Sequence, residues 1–439
     1  MRQELEQKQG NSPVIAEASA PGQQPPQPAP DPAAHLAALQ DSFDLLSEKV
    51  QDQNQTKVSS GSKYPVRLSG LVLMNVFSNR GNTDNQDIPT WAVPPSSFSS
   101  AGNFGATLRQ SEIGLEVFGP KLAGAKTTGS VQLDFAGGFP NVSNGVNFGV
   151  VRLRTATVRF DWANTSIVGG QDGIFISPLS STSFASLAIP AFSYSGNLWG
   201  WIPQVRVEHR FSLSDTSSFL LQGGVFDNVT GEPPYFGDYR QPQAGERSSQ
   251  PAFGSRVAFT RTIFGEPLTL GAAGFYSRQD WGFNRHVDGW AGMTDVQLPL
   301  APKLILSGEF YDGKAVGGLG GGIGNSVVFD GNPLSASADV YGVNSLGGWA
   351  QLKLKATSKL EFNGSFGMDN PQASDLRDNS PFQDYGSTLV RNRGTLVNFV
   401  YRPRSNLLLS SEYRHLRTFQ LDNSSETADQ INMIVGILF

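Results

Sequence analysis

From Val66 to the last residue the sequence repeats one pattern, an apolar side chain at every second position. In VRLSGLVLMNVF (66–77), Val66, Leu68, Gly70, Val72, Met74 and Val76 share one face. In QVRVEHRF (204–211), Val205, Val207 and Phe211 oppose Gln204, Arg206, Glu208 and Arg210, and LEFNGSFGMD (360–369) and AQLKLKA (350–356) do the same. A strand sends alternate side chains to opposite faces, so each segment predicts a strand with one apolar and one polar side. The pattern recurs about sixteen times, near residues 66, 106, 126, 150, 165, 202, 217, 251, 266, 286, 302, 346, 359, 390, 405 and 428. Each segment is about 7 to 15 residues, close to what a tilted strand needs to cross a bilayer. The chain ends on INMIVGILF (431–439), with Ile431, Met433, Val435, Ile437 and Phe439 on one face.

The connections alternate as well. Short ones, such as ANT (163–165), SDT (214–216), GEP (265–267), PLAP (299–302) and RPRS (402–405), follow long ones near 79–105, 137–149, 172–201, 228–250, 313–345 and 370–389. Tight turns at one end and long loops at the other are how an outer-membrane barrel is strung. In lipid such strands must close on themselves, because an open edge leaves backbone groups that nothing can satisfy. The expected fold is therefore all-β, a transmembrane antiparallel β-barrel of about 16 strands over residues 64–439, in a bacterial outer membrane. Phe77, Phe118, Trp162, Phe211, Phe264, Trp290, Phe399 and Tyr401, near segment ends, are the expected interfacial girdles.

The first sixty residues follow a different rule. PGQQPPQPAPDP (21–32) cannot form a helix or a central strand, because proline lacks the donor and fixes its backbone, so residues 1–32 are expected to be a flexible Pro-rich periplasmic segment. Asp31 and Pro32 read as an N-cap and first helical residue. Leu36, Leu39, Phe43, Leu46 and Val50 then fall at spacings of three and four, so 33–56 is expected to be an amphipathic helix, a short coiled coil or a helix lying on its own domain. MRQELEQKQG has no apolar signal core, so export is expected to have removed a signal upstream of Met1.

Composition excludes several chemistries. With 33 basic and 38 acidic residues the formal net charge is −5, which does not suit a nucleic-acid partner. The absence of cysteine excludes disulfides and thiolate metal sites. His35, His209, His286 and His415 are scattered without metal-ligand spacing, so no metal and no cofactor are expected. VGGLGGGIGNS (316–326) fits neither a dinucleotide fingerprint nor a phosphate loop and reads as a loop tip. No serine lies in a nucleophile elbow; an embedded hydrolase using His415 or His286 is compatible with a barrel, yet nothing selects it, and no catalysis is expected.

What remains is the inward face. If the apolar residues face lipid, Arg152, Arg154, Arg206 and Arg210 point into the lumen, with Arg256, Lys353 and Lys355 inward elsewhere. A cluster of fixed positive charge in a water-filled pore concentrates and passes small anions. Glu112, Glu116, Asp134, Glu208, Glu309, Glu361 and Glu412 are inward by the same alternation, so a second role stays open, in which the arginines pair with Glu208 and its neighbours and stiffen the wall.

FGVVRLRTATVRFDWANTSIVGGQDGIF (148–175), WIPQVRVEHRF (201–211), GEFYDGKAVGGLGGGIGNSV (308–327) and GGWAQLKLKATSKLEFNGSFGMDNP (347–371) together resemble the DcaP-like family of trimeric outer-membrane porins. The resemblance implies sixteen strands, a homotrimer, a periplasmic N-terminal coiled coil over Leu36 to Val50, and passage of small negatively charged solutes such as dicarboxylates. It makes Arg152, Arg154 and Arg206 pore arginines. The sequence departs from the pattern at Glu112 and at Thr155–Thr157. Loop 172–201, with Pro178, Pro190 and Trp199, is the expected inward-folding loop. The functional expectation is thus a passive porin preferring anions, in contact with outer-membrane lipid. Its rival is a structural anchor joining the barrel to the cell wall through the N-terminal arm.

Overall fold

The computed structural model describes residues 64–97, 100–138, 149–232, 240–377 and 389–439. The expectations for residues 1–32 and for the helix at 33–56 lie outside the described residues.

The described strands are β1 (Val66–Arg80), β2 (Gly102–Thr107), β3 (Glu112–Leu122), β4 (Ala125–Asp134), β5 (Arg152–Asp161), β6 (Thr165–Gly173) and β7 (Trp201–Ser214). They continue with β8 (Ser217–Phe226), β9 (Ala252–Ile263), β10 (Glu266–Asp280), β11 (His286–Ala301) and β12 (Leu304–Lys314). Two three-residue strands, β13 (Val327–Phe329) and β14 (Val340–Gly342), pair only with each other. The last five are β15 (Asn344–Lys355), β16 (Leu360–Pro371), β17 (Leu389–Arg404), β18 (Leu407–Gln420) and β19 (Ser425–Leu438).

Every neighbouring pair in the main sheet is antiparallel, and β19 returns to β1 from Leu71↔Leu438 to Arg80↔Asp429, so the sheet closes into a barrel. β2 and β3 both pair with β1 and act as the two halves of one wall position, which makes sixteen in all. The terminal residue completes the seam. Phe439 N–H donates to Gly70 O at 3.0 Å and Gly70 N–H donates back at 2.8 Å. A Cβ on Gly70 would stand 2.5 Å from Phe439 Cζ, so the ring occupies the space that this glycine leaves open.

Alternation runs the right way round. Ile431, Met433, Val435 and Ile437 are exposed, whereas Gln430, Asn432 and Ile434 between them are buried. Val205 and Val207, Leu352 and Leu354, and Phe362 and Phe366 are likewise exposed, and Arg206, Gln351 and Asn363 are buried. A continuous apolar belt of this size around a closed barrel demands a hydrocarbon surround, since water would meet it at roughly 25 cal/mol per Å².

Two expectations are corrected. Phe77 is buried inside and packs over Gly105, where an added Cβ would lie 2.6 Å from its Cζ; the odd-numbered face of β1 carries Leu71, Leu73 and Phe77 inward. Phe118 is half-buried beneath the Arg67 guanidinium, 5.3 Å from the ring centroid. Trp162, Phe211, Phe264, Trp290, Phe399 and Tyr401 are exposed as a girdle requires.

Candidate pore constriction

Why should a barrel that faces lipid carry leucines on its inside? The residues between β6 and β7 answer this. They leave the wall at Ile174, cross the interior and return at Gly200, and their apolar side chains need a dry floor. Phe184, Ala185 and Leu187 pack on Leu71, Leu73, Val400, Leu408 and Ile434. Nearer the base, Ile174, Ile176 and Leu198 pack among Phe226, Phe275, Met293 and Tyr311.

Polar side chains on inward positions peg the loop around the far wall. Glu309 on β12 accepts from Ser177 Oγ at 2.6 Å, Leu179 N at 2.8 Å and Asn197 Nδ2 at 3.0 Å. Gln351 Oε1 accepts from Thr182 N at 2.6 Å and Ser181 Oγ at 2.9 Å. Asn398 Nδ2 donates to Thr182 O at 2.8 Å, and Asn75 Nδ2 to Phe184 O at 3.0 Å. Gln110, in the break between β2 and β3, accepts from Leu187 N at 2.7 Å and donates to Ala185 O at 3.0 Å. Gly196, at φ +103°, presses against the sheet: a Cβ there would meet Gly348 O at 2.3 Å and Met368 O at 2.5 Å. Loop 172–201 therefore narrows the lumen, and of the side chains that hold it the sequence marks Glu309 as inward and gives no sign of Asn75, Gln110 or Asn398.

The gap left between loop and wall is a cavity of about 480 Å³, bounded by Ser177, Pro178 and Ser180 on one side and by Arg206, Glu208, Gln222 and Arg256 on the other. Three of the eight sequence candidates, Arg206, Glu208 and Arg256, meet there. Arg152 and Arg154 stand higher on β5, with guanidinium carbons 4.8 and 4.5 Å from the Trp201 ring. Arg210 is exposed nearer the short-turn end, 3.4 Å from Ser218 Oγ. Lys353 lies 3.9 Å from Glu361 and Lys355 lies 2.5 Å from Glu266.

Most of these cations have an acidic neighbour. Arg206 donates to Glu208 at 2.7 Å and Asp172 at 2.8 Å, and Glu208 also receives Arg159 at 3.0 Å. Arg256 forks onto Asp295 through Nε at 2.7 Å and Nη2 at 2.9 Å. Arg152 forks onto Asp134 at 3.1 and 2.6 Å, and Arg154 is bonded to Glu112 with Asp134 at 3.5 Å. The lumen wall is thus a lattice of alternating charge, not a bare ring of cations. Exposure is uneven within it: the Arg152 side chain is 25% accessible and Asp134 is 0%. Among the described residues no group of three or more His, Asp or Glu converges as a metal site.

The forks carry stability. Replacing Arg152 and Arg154 together by Gln leaves Asp134 buried and unpaired, at a cost of roughly 3–5 kcal/mol. The temperature at which the folded band is lost in a heat-modifiable gel is expected to fall, and Arg152→Lys with Arg154→Lys should recover part of it. An unchanged temperature would show that the pair contributes nothing to the wall.

No model of a known protein family matches the chain, and no curated relative matches it by sequence. Solved structures do match in shape. The outer membrane channel DcaP of Acinetobacter baumannii aligns with a TM-score of 0.64 at 16% identity, over 88% of this chain and 100% of that one. An anion-selective porin from Comamonas acidovorans aligns with a TM-score of 0.50 at 11% identity, over 86% and 100%. OprB of Pseudomonas putida aligns with a TM-score of 0.51 at 11% identity, over 85% and 94%. The chain shares the fold of the DcaP channel, and its own sheet is a closed antiparallel barrel of sixteen wall positions.

Proposed function

We propose that this chain is a passive diffusion channel of a bacterial outer membrane that passes small hydrophilic solutes and prefers anions, dicarboxylates among them. The observation that carries the proposal is the gap inside a lipid-facing barrel, bounded by Arg206 and Arg256. Two guanidiniums on one opening suit a solute with two carboxylates, since each keeps its positive charge and has N–H hydrogens beyond those its wall contacts use. The wall carboxylates beside them hold the guanidiniums in place and keep the preference moderate. The same reading makes Arg152, Arg154, Arg210, Lys353 and Lys355 a path of cations leading to and from the gap. The similar structures named for an outer membrane channel and an anion-selective porin support it at the level of fold. Assembly is proposed as a homotrimer, with the segments 1–32 and 33–56 on the periplasmic side.

Purified protein in a planar bilayer should give stepwise conductance, and under a salt gradient the reversal potential should carry the sign of anion preference. A bilayer that stays silent with folded protein present would sink the channel reading. Steps with a cation sign would sink the anion preference alone.

A further inference from the structure

Three guanidiniums crowd one phenyl ring on the outer surface of the barrel. Arg391 and Arg393 on β17 and Arg417 on β18 have their guanidinium carbons 5.6, 5.2 and 4.7 Å from the centroid of Phe419. They share the outward phase of their strands. On β17 that phase continues through Thr395 to the exposed Val397, Phe399 and Tyr401, and on β18 through His415 to the exposed Tyr413. Arg393 and Arg417 are direct cross-strand partners, an arrangement that like charges make unfavourable.

Nothing described nearby neutralises them. Arg391 donates to the amide oxygen of Asn370 at 2.7 Å and Arg417 to Ser425 Oγ at 3.4 Å, both uncharged. Arg393 Nε is buried with no hydrogen-bond partner. The neighbouring outward carboxylate, Asp429, is engaged by His415 at 2.8 Å and Tyr413 at 2.7 Å, with Arg80 as its cross-strand partner on β1. Among the described residues, then, three cations lack a carboxylate, and one of them lacks any partner for a buried donor.

The position of the cluster selects its counter-ion. The tight turns at 215–216, 264–265, 302–303 and 405–406 lie at one end of the barrel and the long loops at the other, and Arg391, Arg393 and Arg417 lie at the long-loop end, which in such barrels faces outward from the cell. Arg417 is four residues beyond Tyr413, about 13 Å along the strand at 3.3 Å per residue. That places it past the aromatic edge of the apolar belt, at the level of lipid headgroups.

We propose that Arg391, Arg393 and Arg417 form a binding site for the phosphate of a phosphorylated lipid headgroup in the outer leaflet. Phosphate accepts several guanidinium forks at once and relieves the Arg393–Arg417 repulsion. The lipid's own acyl chains continue down the belt over Val397 and Phe399, so headgroup and tail are both matched. A protein neighbour on this patch would have to bring carboxylates to three cations, two of them partly buried, and the outer leaflet supplies the anions without one.

This inference rests on the barrel being membrane-embedded, so the test separates the two. Wild type and the Arg391→Gln/Arg393→Gln/Arg417→Gln variant are reconstituted in phosphatidylcholine vesicles with and without bisphosphorylated lipid A. Conductance in phosphatidylcholine alone reports the embedded channel and should be the same for both proteins. Co-purification of lipid A with the extracted barrel should be strong for wild type and at least tenfold weaker for the variant. Dephosphorylated lipid A should fail to bind either, and inorganic phosphate should not displace the bound lipid. Equal retention by both proteins, or equal binding of the dephosphorylated lipid, overturns the site. Displacement by inorganic phosphate overturns the lipid in favour of a free anion, and loss of the oligomer in the variant without loss of lipid makes the cluster a subunit contact. Should the triple variant not fold, Arg417→Gln alone, on an exposed side chain, should still lower retention.

Discussion

Replacing Arg206 and Arg256 together by Gln is expected to turn the channel toward cations. The reason is the balance of the wall. Arg206 holds Asp172 and Glu208, and Arg256 holds Asp295, so removing the two cations leaves carboxylates that had been offset. At roughly 8 Å from the ion path, two unit charges change an ion's energy by about 1 kcal/mol in water and about half that at 0.1 M salt. Because the change has opposite signs for anions and cations, the permeability ratio should move about fivefold toward cations. The measurement is the reversal potential across a salt gradient. A further Asp295→Asn replacement should restore the match at the buried carboxylate and give back part of the shift, which separates lumen charge from wall damage. Asp172→Asn with Glu208→Gln should move the potential the other way. A double variant that folds and keeps the wild-type reversal potential would show that these arginines act as braces alone.

The parts of this architecture that were legible in the sequence are those governed by a local rule. A two-residue period fixes which side of each strand faces lipid, and it placed Ile431, Met433 and Val435 outside and Arg206, Glu208 and Lys353 inside. Turn chemistry and loop length located most strand starts to within a few residues, for example at 66, 165, 217, 266 and 286. The one segment expected near 106 is split at Leu108–Ser111, because Arg109 turns to Asp87 at 2.5 Å and Gln110 to the inner loop. Arg206 and Glu208, two apart on one strand face, could be read as a pair; Arg152 and Asp134 could not, because their contact depends on the register of two strands.

The phase rule misled where both faces of a strand are apolar. In LVLMNVF the even positions face lipid, and Leu71, Leu73 and Phe77 line the inside, where the first two floor the inner loop. Nothing in the local pattern distinguishes an inward leucine that meets a loop from one that meets water. The pegs of that loop are invisible for a similar reason. Glu309 and Gln351 lie more than a hundred residues from Ser177, Leu179 and Thr182, and no spacing links them.

Glu309 is the peg whose loss should change the channel most. Its carboxylate, on a residue only 8% exposed, accepts from Ser177, Leu179 and Asn197, with Trp349 Nε1 at 3.4 Å. Replacing it by Leu keeps the apolar bulk and removes every acceptor, leaving buried donors unsatisfied at about 1–3 kcal/mol each. Several such penalties exceed what a loop can absorb without local opening, whereas the backbone ladders of β12 with β11 and β15 do not use this side chain. The loop stays tethered at Gly173 and Trp201 and pegged by Gln110, Gln351 and Asn398, so its detachment is confined to the stretch around Ser177 and Ser180 that borders the gap. Glu309→Leu should therefore raise single-channel conductance severalfold less than loop removal would, add open-channel noise, and admit larger neutral polymers, while the heat-modifiable gel still shows a folded barrel. Glu309→Gln, which retains one acceptor oxygen, should fall between that variant and wild type. If the Leu variant folds and conducts with wild-type amplitude, noise and polymer cut-off, then Glu309 does not hold the constriction, and the width of the channel is set by the wall.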